Sequence, residues 1–222
     1  MITLCDIVKT YPDGANHRLQ VLRGLQLSVG RGEFVAITGA SGSGKTTLLS
    51  ILGTLTSPDS GSYVLDGEMV FVAGRTDYAE IRNRKIGFVF QEHRLMPQLS
   101  VRDNILLPTL AFQSRPSSEQ LNYAQFLMEM AGISALLRQY PAEISGGEAG
   151  RAALCRALIM QPTILLADEP TGQLDAENAR KIVAFLQKIN RELGTTIVMV
   201  SHSAETVAAA SRILTLKNGL LS

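Results

Sequence analysis

Residues Gly39-Ala40-Ser41-Gly42-Ser43-Gly44-Lys45-Thr46 fit the pattern G-x-x-x-x-G-K-[ST]. Glycines at this spacing let a backbone curl until its N–H groups converge on one point, the geometry that holds a phosphate. A helix beginning at the end of the loop adds the partial positive charge of its N-terminus. Lys45 is long enough to reach β- and γ-phosphates, and Thr46, followed by Thr47, offers a hydroxyl to Mg²⁺. Farther along, Ile164-Leu165-Leu166-Ala167-Asp168-Glu169 is an apolar run ending in two carboxylates. Open α/β sheets bind ligands at the carboxyl ends of their strands. Asp168 is therefore placed to hold Mg²⁺ through water. Glu169 is placed as general base, or orienter, for a water aligned on a γ-phosphate.

A third stretch narrows the chemistry. Ile144-Ser145-Gly146-Gly147-Glu148 is a small-residue loop opening a helix, a second anion site of the same physical type. A phosphate loop alone suits kinases, GTPases and many ATPases. One nucleotide has one γ-phosphate, so two such loops in one chain are explained most simply by a head-to-tail dimer in which each loop faces the phosphate bound by the other copy.

These residues need a frame to position them, and apolar runs alternate with amphipathic segments along the chain. Residues 2–11, 21–29 and 62–70 read as strands among the turn pairs Asp13-Gly14, Arg31-Gly32 and Asp66-Gly67, forming a small antiparallel sheet. Residues 35–39, 87–91, 163–168 and 196–201 read as short buried strands of a parallel sheet, and residues 45–55 as the helix after the glycine loop. Residues 92 to 157 are mostly helical. Ser100-Val101-Arg102-Asp103 has the capping-box form, Ser117 or Ser118 starts a helix ending at Gly132, and a third helix spans 145–160. Asp175 caps a long helix whose stripe Ile182, Leu186, Ile189, Leu193 falls at helical spacing and which ends at Gly194. Asn218-Gly219 closes a hairpin. The expected fold is α/β, a P-loop NTPase with a mostly parallel sheet core, an N-terminal antiparallel β subdomain and an inserted α-helical subdomain. Residues 1–91 and 158–222 would form the core and residues 92–157 the insertion.

Composition sets the outer bounds. The 222 residues are 45% hydrophobic and 18% charged, which is globular, and the net charge of +1 gives no support for broad binding to nucleic acid. Mean hydropathy is slightly positive, +0.13. Crossing a bilayer needs about 18–20 consecutive apolar residues, and no stretch is that long. Residues 1–9 carry Asp6 and no apolar core of a secretory signal. Cys5 and Cys155 lack metal-ligand or C-x-x-C spacing and read as reduced structural thiols.

The order Tyr11, Gly39 to Thr46, Gln91, Ser145 to Glu148, Asp168-Glu169, Gln173-Leu174-Asp175 and His202 resembles the ATP-binding cassette family over essentially the whole chain. The resemblance implies a single-cassette ATPase with ATP and Mg²⁺ as cofactors and a homodimer with ATP at its interface. By position, Tyr11 would stack on adenine, and Gln91 would contact Mg²⁺ and the attacking water. Ser145 and Gly147 would touch the γ-phosphate of the partner copy, Asp175 would steady the dimer interface, and His202 would hydrogen-bond the γ-phosphate. Ile144 stands where Leu is usual, Ala149-Gly150 where the sequence is usually Gln-rich, and Gln173 where Asn is more usual. His17 and His93 read as surface or loop residues.

Residues 87–91, Leu95-Met96-Pro97 and 100–108 resemble the branch containing lipoprotein-release and macrolide-efflux systems. That branch implies a separate membrane permease, docked near residues 92–99 with Gly53, Leu55, Ile86 and Phe88 in the same groove. The chain would then lie peripherally on the cytoplasmic face of the inner membrane. The alternative, a soluble cassette ATPase acting on DNA or ribosomes, lacks its sequence marks. No long heptad segment interrupts the cassette, and there is only one phosphate loop.

Overall fold

The computed structural model describes residues 1–13, 17–72 and 77–222. Gly14, of the Asp13-Gly14 turn pair, lies outside the described residues. Two sheets enclose the first helix. β1 (Ile2–Asp13) and β2 (His17–Val29) form a long antiparallel ribbon. β3 (Phe34–Thr38) then enters the second sheet, and α1 (Lys45–Leu52) follows the glycine loop. β4 (Ser60–Leu65) and β5 (Glu68–Met69) complete the four-stranded antiparallel sheet, in the order β2-β1-β4-β5. The single strand expected over 62–70 is instead split. Asp66 and Gly67 both take positive φ, 53° and 83°, the conformation of a tight two-residue hairpin turn.

A short helix that the sequence reading lacked, α2 (Ala79–Lys85), leads into β6 (Ile86–Val89). The next stretch holds α3 (Val101–Leu106), α4 (Ser118–Met130) and α5 (Gly146–Leu158), with no strand. β7 (Ile164–Asp168), α6 (Ala176–Leu193), β8 (Thr196–Val200), α7 (Ala204–Val207), β9 (Arg212–Lys217) and β10 (Leu220–Leu221) follow. The six-stranded sheet runs β10-β9-β3-β8-β7-β6, parallel except for the β10 edge.

Why β3, β7 and β8 read as unbroken apolar runs is plain from the two faces they cover. Val35, Ile37, Ile164, Leu166, Val198 and Val200 pack toward α1 and the antiparallel sheet. Phe34, Ala36, Leu165, Ala167, Ile197 and Met199 pack toward the helical layer of α3 to α6. Alternate residues thus feed two separate cores. The α6 stripe behaves as its spacing predicts, with Ile182, Leu186 and Ile189 buried, and Gly194 ends the helix at φ 65°.

Close approaches are bought with glycine. A Cβ on Gly87 would overlap the Ala157 carbonyl oxygen and press on Pro162, because β6 runs directly against α5. Gly87→Ala is expected to destabilise the fold by about 1–3 kcal/mol through overpacking, read as a fall in the midpoint of denaturant unfolding. The two thiols are also unequal. Cys5 is exposed, whereas burial pushes the Cys155 thiol well above its ordinary range. Ellman's reagent should therefore titrate Cys5 alone in the native chain and both cysteines after unfolding.

Candidate functional site

The glycine loop joins the carboxyl end of β3 to α1. Gly39, Gly42 and Gly44 have φ of 150°, 75° and 103°. Side chains rarely adopt these values, so the loop shape depends on glycine there. A Cβ on Gly39 would also overlap the Leu216 carbonyl oxygen of β9, and one on Gly44 would lie 2.7 Å from Val21 Cγ1 of β2. Gly44 occupies the cap position of α1 and provides no side-chain cap, and no acid lies in the first turn. The leading N–H groups of α1 are left for an anion. Lys45 folds back over the loop, its Nζ donating to the carbonyls of Gly39 (2.8 Å) and Ala40 (2.9 Å).

Asp168 ends β7, between β6 and β8, and Glu169 follows it. Asp168 is half-buried. Burial and then the neighbouring Glu169 raise its pKa, while a hydrogen bond from Thr46 and the charge of Lys45 act in the opposite sense. Glu169 sits at φ 45°, a strained conformation for a non-glycine residue. Its N–H donates to the Val200 carbonyl (3.0 Å). Its carboxylate is held at both oxygens by His202: ring Nδ1 lies 2.8 Å from Oε1, and the His202 backbone N–H donates to Oε2 at 3.3 Å. The Glu169 side chain is only 14% exposed and that of His202 72%. Behind them, Thr171 and Thr206 hydroxyls pair at 3.0 Å, tying the segment after Glu169 to α7.

One cleft of about 390 Å³ gathers Ser41, Gly42, Gly44, Lys45, Thr46, Thr47, Gln91, Asp168, Glu169 and His202. A neighbouring cleft of about 470 Å³ runs from Gly39 to Ser43 past Leu19, Val21 and the β9–β10 turn. Tyr11 lines neither. It is 37% exposed on β1, with Lys9 Nζ 5.5 Å from its ring centroid. Thr46, Asp168 and Gln91 offer a hydroxyl, a carboxylate and an amide carbonyl, hard oxygen donors of the kind Mg²⁺ takes alongside phosphate oxygens. Their chemistry fits that ion.

Ser145 to Glu148 do not join this cleft. Ser145 caps α5 in a reciprocal box: its oxygen accepts from the Glu148 N–H (3.4 Å), while its own N–H and hydroxyl both donate to Glu148 Oε2 at 2.7 Å. Those bonds hold the Glu148 carboxyl below its usual range. Glu148 is thus committed to the cap, a role the sequence reading did not assign it. Gly147 is buried, and a Cβ there would overlap the Asn178 side chain. Asn178 is in turn held by both oxygens of Asp175, the α6 cap, at 2.9 and 2.7 Å.

The sequence reading also missed His93, which is no plain loop residue. Its ring is half-buried, with the Gly146 backbone beside it. Burial and the nearby Arg156 lower its pKa. Arg156 Nη1 and Nη2 donate to the carbonyls of Arg94 and His93, both at 2.6 Å. The available signal was Gly150, a glycine inside a helix, which costs about 1 kcal/mol and so marks a close neighbour. The concave surface near β6 includes two of the residues expected in the docking groove, Ile86 and Phe88. A groove of about 330 Å³ is lined by Ile86, Phe88, Arg82, Pro108, Arg156 and Met160 among others. No residue of 92–99 lines it, nor does Gly53 or Leu55. Gly53 backs the Phe88 ring, and Asn104 Nδ2 donates to the Met96 and Leu99 carbonyls within 92–99.

Comparison with known proteins agrees with this geometry. Residues 22–172 match the family model described as ABC transporter. The lipoprotein-releasing system ATP-binding protein LolD 1 of Rhodopirellula baltica is 44% identical over 221 residues, covering 100% of this chain and 96% of that protein. The macrolide export ATP-binding/permease protein MacB of the same organism is 42% identical over 223 residues, which is 100% of this chain but 32% of that larger protein. Among solved structures, the dimeric structure of MJ0796, a bacterial ABC transporter cassette, superposes with a TM-score of 0.89 at 37% identity over 100% of this chain and 97% of that one. The same cassette in a dimeric post-hydrolysis state bound to ADP and Pi gives 0.88 at 36% identity, with the same coverage. The chain belongs to the ABC transporter family, as an ATP-binding, ATP-hydrolysing cassette.

Proposed function

We propose that this cassette clamps two ATP molecules between two head-to-tail copies and uses the closure to move a membrane permease of the lipoprotein-release or macrolide-efflux type. The observation that carries the reading is the single cleft joining Lys45, Thr46, Gln91, Asp168, Glu169 and His202. The Gly39 to Gly44 backbone and the α1 N-terminus hold the β- and γ-phosphates, and Lys45 leaves its loop carbonyls for phosphate oxygens. Thr46, Asp168 and Gln91 would hold Mg²⁺, which when bound neutralises phosphate charge. Glu169, oriented by His202, accepts the proton of the attacking water. His202 also has its second ring nitrogen for the γ-phosphate, and Tyr11 serves the adenine.

Ser145 and Gly147 lie outside the cleft of their own chain, which supports a role at the ATP of the second copy. LolD and MacB are named for lipoprotein release and macrolide export, and MJ0796 was solved as a dimer. For the permease we propose the groove at Ile86 and Phe88, occupied by a helix of its cytoplasmic side. Leu107, Leu110 and Phe112 stand exposed around it. Residues 92–157 would follow that helix as a subdomain, against the core of 1–91 and 158–222. No helix among the described residues is long and apolar enough to cross a membrane, and a peripheral place on the cytoplasmic face of the inner membrane follows from the permease.

Two substitutions test the reading. Glu169→Gln should lower kcat about 10²- to 10⁴-fold while ATP still binds, and should convert the chain to an ATP-dependent dimer in sedimentation. Hydrolysis at the parental rate would remove Glu169 from the chemistry. Lys45→Ala should weaken ATP binding about tenfold or more by calorimetry, because charge-assisted hydrogen bonds are lost. Unchanged affinity would place the phosphates elsewhere.

A further inference from the structure

We propose that His93 is a positioning residue that fixes the Gln91 segment to the Ser145–Gly147 loop, and that Gly150 is the space its ring requires. The inference rests on the reading that those two stretches serve ATP in opposite halves of a dimer.

Three contacts join the segment after Gln91 to α5. The Gly146 backbone lies beside the His93 ring. The ring Nδ1 is buried with no partner. The Cε1–Nε2 edge of the same ring lies over Gly150, where a Cβ would stand 3.2 Å from Cε1 and 3.5 Å from Nε2. Residues 146 and 150 are one turn apart on the same helix face. The ring therefore lies over the first turn of α5. The third contact is Arg156, whose guanidinium holds the His93 and Arg94 carbonyls from the far end of α5. On the other side, Arg94 lies over the Phe90 ring at 4.3 Å, and Phe90 stacks on Phe88 of β6 at 4.3 Å.

The geometry assigns a direct mechanical link. Gln91 lines the ATP cleft, and two residues later the His93 ring packs on the first turn of α5. A displacement of the segment at Gln91 reaches the start of α5 through that one ring. The departure at Gly150 then has a physical reason. A larger residue would collide with the ring on one side, and with Ile182 Cδ1, 3.1 Å from the Cβ position, on the other.

The test uses the full chain in two backgrounds. With the parental Glu169, His93→Ala should leave the affinity of the monomer for ATP within about twofold, since the glycine loop is untouched. It should lower kcat about 10- to 100-fold, the cost of misplaced catalytic groups. With Glu169→Gln, His93→Ala should raise the ATP concentration needed for dimerisation about tenfold or more. His93→Gln, which keeps a polar side chain of similar reach over Gly150, should restore most of both. Gly150→Ala should reproduce the defect by displacing the ring, and adding it to His93→Ala should cost little more. Should His93→Ala fail to fold, Gly150→Ala reads the same contact from the helix side. Parental kcat and dimerisation in His93→Ala would overturn the proposal, as would equal losses in ATP affinity and kcat, or no rescue by Gln. If Glu169→Gln alone forms no dimer with ATP, the dimer reading fails, and the kcat rescue by Gln still judges His93.

Discussion

Helix α1 starts at a glycine, and the free N–H groups of its first turn are the constraint around which the rest is arranged. α3, α4, α5, α6 and α7 are each capped by a side-chain oxygen, from Ser100, Ser117, Ser145, Asp175 and Ser203. α1 has no such cap, and Gly44 leaves the helix end open. The donors there need an acceptor from outside the chain, and the macrodipole favours an anion. The parallel sheet points the carboxyl ends of β3, β6, β7 and β8 at the same place. The residues leaving those strands, namely the glycine loop, Gln91, Asp168-Glu169 and His202, meet there although they are scattered along the chain.

α5 begins with the opposite solution. Its cap is closed internally by Ser145 and Glu148, so its start is preformed and rigid before any phosphate arrives. Its place is set by small residues. Gly146 touches Leu174, Gly147 receives Asn178, and Gly150 receives both Ile182 and the His93 ring. The stretch from Glu169 through Leu174 to Asp175 is therefore packed onto the start of α5, and the segment after Gln91 grips it from another side.

Much of the site was legible because its motifs are local. A glycine loop, an acid-ended apolar strand and a serine cap each declare themselves within a few residues, and their order along the chain named the family. The strands of the parallel sheet were legible for the same reason, since burial on both faces leaves a run of apolar residues. What escaped depends on partners distant in sequence. The His93 ring has meaning only beside Gly146 and Gly150, and Asn178 only beside Gly147. The split of residues 62–70 was written in Asp66-Gly67 yet overridden by the apolar pattern on either side. Tyr11 is exposed on β1 and lines neither cleft, so its place against adenine rests on the resemblance.

The walls of the phosphate loop come from opposite ends of the chain. Gly39 is pressed by the Leu216 carbonyl of β9, Gly44 by Val21 of β2, and the Gly219 carbonyl accepts from the Arg23 N–H at 3.1 Å. β3 pairs with β9 on one side and β8 on the other, and both are far downstream of it. During vectorial synthesis, β3 and its loop emerge long before either neighbour exists. The nucleotide pocket has all its walls only once β9 has been added, so ATP binding is expected to await that strand. Nucleotide binding thereby reports completion of the sheet.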